Sequence, residues 1–184
     1  MSMILSLLLV AQTAGAQPTP KAAAAEPTPK ATSIPEQNQK KFAIETIPPY
    51  DPAPLLKNLN GEVSESDPQT LFFPADAFDL VKGIKDPGAY HKQLVSWFAA
   101  DLDKERARLK AGAPWTIESF KLGFCKWKEK GSEANALPYW SCYKSKVKLK
   151  NAKNESNIVE IRALINWGTQ WYPTHLLPIP AAKK

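Results

Sequence analysis

From Lys144 to Lys150 every second residue is a lysine, and the positions between them read Ser145, Val147 and Leu149. Traced back to residue 139, one phase is Tyr139, Ser141, Tyr143, Ser145, Val147, Leu149, and the other is Trp140, Cys142 and the lysines. A period of two belongs to a β-strand whose two faces meet different surroundings. The Tyr/Val/Leu phase is expected against a core and the lysine phase outward. Residues 116–128 repeat the pattern: Phe120, Leu122 and Phe124 alternate with Lys121, Gly123, Cys125 and Trp127.

These two stretches constrain one another. If they pair antiparallel with Phe124 opposite Tyr143, then Phe120 falls opposite Val147, Cys125 opposite Cys142, Trp127 opposite Trp140 and Lys121 opposite Lys146. A slip of one residue sends every side chain to the wrong face. Directly opposed positions are close enough for a disulfide at a non-hydrogen-bonded pair. A Cys125–Cys142 bridge is therefore predicted on the outer face, covered by Trp127 and Trp140. Lysine directly opposite lysine is unfavourable. The basic face, with Glu160 and Arg162 on the same side, either stays solvated, where lysines discourage edge pairing, or meets an anionic partner.

Further strands are expected at 158–167 and 171–177, the last an edge because Pro173 interrupts it. Short loops join them, which makes an antiparallel meander. Before residue 115 the period is helical. Pro74 and Gly83 bracket a short helix in 72–85, and Asp86-Pro87 opens a long one running to about Lys110. Its core-facing stripe is expected at Tyr90, Leu94, Phe98 and Leu102, beside Trp97 and with Leu109 further on, and its charged second half is expected to leave the core. The fold class is thus α+β: N-terminal helices on a curved antiparallel meander of three to four strands, after a disordered Pro-rich segment.

The N-terminal third is different in kind. Residues 4–11 (ILSLLLVA) form an apolar run too short to span a bilayer, followed by the small-x-small pattern Ala14-Gly15-Ala16. This predicts a signal peptide over 1–16, although Met-Ser-Met carries no basic residue. Residues 17–58 hold nine of the 17 prolines and repeat PTPKA at 18–22 and 27–31. Such a composition predicts a disordered, polyproline-like linker, with only 42–59 apolar enough to pack partly on the domain. One domain is expected over 59–178, since all six tryptophans lie between Trp97 and Trp171, and a flexible basic tail over 179–184. Export, periplasmic or secreted, fits a chain with two cysteines that can pair.

The formal net charge of +6 directs attention to acidic partners. Outside the cytoplasm these are acidic polysaccharides, lipid head groups or proteins, rather than nucleic acid. No calcium loop, phosphate-binding glycine loop or metal-ligand spacing is present, so no cofactor and no metal is expected. His91 and His175 have no catalytic partners at a recognisable spacing. The sites to weigh are a surface of Glu133, Asn135, Trp127, Trp140, Lys144 and Lys146, and a pocket between helix and sheet near Tyr90, Trp97, Tyr143 and His175. The first makes the chain a non-enzymatic binding module. The second makes it a small-ligand or enzymatic site. A spacer role for the Pro-rich segment is a third reading. Oligomeric state is not set by the sequence.

The order of helices then meander over 72–177, with the aromatic final strands INWGTQWYPTHLL, resembles the cystatin-like, nuclear-transport-factor-like α+β group in architecture. That resemblance implies a concave space between helix and sheet used for ligands, subunit contacts or isomerase and dehydratase chemistry. Such chemistry needs a carboxylate or histidine inside the cone. Here the inward phases offer only Tyr143, Ser141 and Ser145 as polar groups.

Overall fold

A computed structural model describes residues 33–62 and 68–176. Among them are four α-helices, Ala53–Leu59 (α1), Pro68–Leu71 (α2), Ala75–Val81 (α3) and Pro87–Leu109 (α4). Five strands follow, Trp115–Lys121 (β1), Phe124–Lys128 (β2), Tyr139–Asn151 (β3), Ser156–Trp167 (β4) and Gln170–His175 (β5). The fold is α+β with one antiparallel sheet. Its order is β1-β3-β4-β5, and β2 also pairs with β3. The single strand expected over 116–128 is therefore two arms along one partner, broken at Leu122-Gly123. The signal peptide (1–16), residues 17–32 of the linker and the tail (179–184) lie outside the described residues.

The expected register holds along both arms. Phe120 pairs with Val147 and Lys121 with Lys146; beyond the break, Phe124 pairs with Tyr143, Cys125 with Cys142 and Trp127 with Trp140. The disulfide Cys125–Cys142 is present. It spans a sequence separation of 17. Replacing both cysteines by alanine is expected to lower the unfolding free energy by about 3 kcal/mol, from the lost loop constraint on the unfolded chain. Urea unfolding of the double variant measures this, and a loss under about 1 kcal/mol would contradict it.

The burial of the strands departs from simple alternation. Phe124, expected in the core, is 53% exposed, and its partner Tyr143 is only half-buried and stacks on it. Cys142, expected outside, is fully buried. Lys144 sits between these two regimes with φ of 59°. Beyond it Ser145, Val147 and Leu149 are buried and Lys144, Lys146, Lys148 and Lys150 are exposed, as a one-sided strand requires. Before it Tyr139, Ser141 and Cys142 are all buried, so that end of the sheet is covered on both faces.

The second cover comes from the segment expected to be linker. Asn38 is completely buried; its side-chain amide donates to the carbonyl oxygens of Pro138 and Asn166 and accepts from the Gly168 N–H. Phe42 meets Trp127 edge-on at 5.9 Å, and the Trp140 indole N–H donates to the Phe42 carbonyl. The Trp171 indole donates to the Pro48 carbonyl. Residues 52–59 are core outright: Leu55, Leu56 and Leu59 of α1 meet Val147, Leu149 and Val159. The packed domain thus includes residues 34–58, which corrects the linker boundary and explains why the face that carries the sulfurs is covered rather than open. Low apolar content averaged over 17–58 concealed a strap that is fixed by backbone hydrogen bonds and a few large rings.

Helix α4 follows its sequence signals closely. Asp86 caps it by accepting from the Ala89 N–H. The buried stripe is His91, Leu94, Val95, Phe98, Leu102, Glu105 and Leu109. Tyr90 and Trp97, expected within it, are 42% and 43% exposed. Seven residues apart, they share one flank of the helix, just outside the stripe. The charged second half also stays docked. Arg106 bonds the backbone and side-chain oxygens of Asn58, and Arg108 links Glu105 to Asn157 and the Ile158 carbonyl.

Candidate functional site

Where β1 and β2 divide, the sheet surface opens into a cleft of about 400 Å³. Lys121, Leu122 and Gly123 form one wall; Lys144 and Lys146 of β3 and Glu160 and Arg162 of β4 form the rest. Gly123 makes the corner. Its N–H donates to the Ser145 hydroxyl at 3.0 Å, and its backbone runs so close to β3 that no side chain fits there. Lys144 lies opposite this corner in the left-handed region, which costs a non-glycine residue roughly 1–2 kcal/mol. Such a conformation persists only where the surrounding structure over-determines it.

The cleft carries a cationic excess. Lys121 and Lys146 are directly opposed, Lys146 is also paired with Glu160, and Glu160 lies 2.8 Å from Arg162. That contact is close but lacks hydrogen-bond geometry at the Glu160 oxygen, and the Arg162 Nε–H is buried with no partner among the described residues. One carboxylate thus faces four cationic groups. Next in the chain to Gly123 and Lys144, but by strand alternation on the opposite face of the sheet, stand Phe124 and Tyr143, whose rings stack at 5.3 Å and 29°. Lys126 and Lys128 lie over the two rings.

The remaining candidates are dispersed. Trp127 and Trp140 meet edge-on at 5.6 Å, beneath Phe42, and both are half-buried. Asn135 is buried. Its side-chain oxygen accepts from Lys82 at 2.7 Å, and the loop's backbone pairs with the end of α3 through Ala134, Ala136, Val81 and Gly83. Burial lowers the Lys82 ammonium below its usual value and raises the neighbouring Tyr139 phenol to about 12. Glu133 holds Lys128, and that hydrogen bond raises the lysine above its usual range. Loop 131–138 is therefore occupied in closing the hairpin and docking α3.

Tyr90, Trp97, Tyr143 and His175 do not converge. Tyr90 contacts Phe78, Trp97 is exposed on α4, Tyr143 stacks on Phe124, and His175 faces Asp101 at 4.0 Å. Burial holds the His175 imidazole below its ordinary value, against the opposing pull of Asp101. Among the described residues no three His, Cys, Asp or Glu side chains gather as metal ligands, and no helix is long and apolar enough to cross a membrane.

Lys121, Lys146, Glu160 and Arg162 were legible as one basic face from strand parity. The cleft within that face was not, because it depends on the break at Gly123 and the backbone of Lys144. The one available signal was a glycine inside an alternating strand, which marks close backbone approach. No family model, curated protein or solved structure matches the chain.

Proposed function

We propose that this chain is an exported binding module that takes an acidic polysaccharide of the cell envelope in the cleft where β1 and β2 divide beside β3 and β4. The observation that carries this reading is the cleft in which Lys121, Lys144, Lys146 and Arg162 surround a single carboxylate, Glu160. A polyanion supplies the negative charge the cleft lacks. A walled cleft suits a chain of charged sugars better than a flat lipid surface does. Export is supported by the apolar run at 4–11 with its small-residue cleavage pattern and by the disulfide.

The test is affinity for a polyuronate at low salt, with anionic lipid vesicles as the competing probe. The Lys144→Gly, Lys146→Gln double variant is expected to lose about 30-fold in affinity, at roughly 1 kcal/mol per lysine on an anionic surface. Because glycine relieves the strained backbone at 144, the variant should fold at least as stably as the parent. Undiminished polyuronate binding in this variant overturns the assignment of the cleft. Binding to vesicles with none to polyuronate moves the partner to lipid head groups.

A further inference from the structure

A second concavity lies away from the basic cleft, between the strap and β5. Pro48, Pro49, Tyr50 and Asp51 line one side and Trp171 and Tyr172 the other, enclosing about 480 Å³. The walls are braced. Trp171 is tied to the Pro48 carbonyl, and the Tyr172 hydroxyl donates to Gln170. Tyr50 packs edge-on against Phe120, and burial raises its phenol well above the usual value, so it stays neutral. Asp51 is exposed and uses one oxygen to accept from the Ala53 N–H.

Rigid grooves of proline and aromatic rings bind polyproline II chains, whose proline ridges fit between the rings at small entropic cost. This chain contains such a ligand twice, as PTPKA at 18–22 and at 27–31. Its position favours the second copy. Pro35 packs on Gly168, the residue before Thr169 and Gln170, and both of these line the groove. At ~3.1 Å per residue in polyproline II, the chain from Pro35 back to Pro27 reaches ~25 Å, enough to cross the groove. Charge agrees as well: the motif carries Lys30, and the groove carries the Asp51 carboxylate. A short tether gives the motif an effective concentration in the millimolar range, so a weak site suffices.

We infer that the groove between residues 48–51 and 171–172 is a polyproline II site, and that its occupant is the chain's own Pro27-Thr28-Pro29-Lys30 segment. Docking there would extend the strap across the groove.

Zero-length carbodiimide cross-linking of the full chain tests the inference, since it joins a lysine amine to a carboxylate only in direct contact. An equal mixture of ¹⁴N and ¹⁵N chains separates links within a chain from links between chains. The expected product is a Lys30–Asp51 amide within one chain. Its yield should fall several-fold in the Pro27→Ala, Pro29→Ala variant, which keeps both reacting groups and leaves the domain untouched. Absence of the Lys30–Asp51 link overturns the inference. So does a link found only in mixed-isotope pairs, which assigns the groove to a second copy. An intramolecular yield unchanged by loss of the prolines overturns it too, because the tether alone would then explain the contact.

Discussion

Gly123→Ala is expected to destabilise the fold by about 4 kcal/mol or more, beyond the usual range for an overpacked core position and a large share of a typical domain's stability. A Cβ placed at Gly123 would stand 1.8 Å from the Tyr143 carbonyl oxygen and 2.7 Å from its carbon. The obstacle is the backbone of β3, so no change of rotamer relieves it. Either β2 leaves β3, and with it the Phe124–Tyr143, Cys125–Cys142 and Trp127–Trp140 pairs, or β3 moves away from β4. The urea midpoint measures the loss, and titration of free thiols reports whether the cysteines still meet. Gly131→Ala is the control. Gly131 has φ of 87° but open space where its Cβ would be, so only backbone strain of about 1–2 kcal/mol is expected there. If the two variants proved equally stable, the close approach at Gly123 would be refuted.

The same corner marks where sequence reasoning reached its limit. Pairing depends on the spacing of residue types along two strands. Five pairs, from Phe120–Val147 to Trp127–Trp140, match in one register from spacing alone. Helix α4 was equally legible, because Asp86-Pro87 is a local start signal and Leu94, Phe98, Leu102 and Leu109 repeat at helical spacing. Facing was less accessible, since it depends on what lies over each side of the sheet. Alternation gave Cys142 and Lys146 the same phase, but it carried no information about a left-handed residue between them or about a strap over one end. The basic cleft inherits that gap. Its residue types were visible in sequence, and its shape comes from two backbone positions, Gly123 and Lys144. The strap was missed because its anchors are few: one buried asparagine, one phenylalanine and carbonyl oxygens that composition does not count.

That last point makes Asn38 the sharpest probe of the N-terminal cover. Asn38→Ala is expected to cost about 3–4 kcal/mol, because three buried backbone groups lose their partner at about 1–3 kcal/mol each, less what entering water restores. The three are the Pro138 oxygen at 3.1 Å, the Asn166 oxygen at 3.4 Å and the Gly168 N–H at 2.7 Å. Asn38→Asp should be worse, although it is nearly isosteric. The carboxylate still accepts from Gly168, but its second oxygen then faces two carbonyls, and the charge is buried without a cation. Only a side chain that donates on one side and accepts on the other satisfies the site. Two readouts separate a loosened strap from a weakened core. Trypsin should cut faster after Lys40 and Lys41 in both variants, since these lysines flank the anchored turn next to Phe42. Tryptophan emission should shift red as Trp127 and Trp140 lose their cover. Equal stability of the Asp and Ala variants, with unchanged trypsin sensitivity, would mean that the strap is held by its rings and that the hydrogen bonds of Asn38 add nothing.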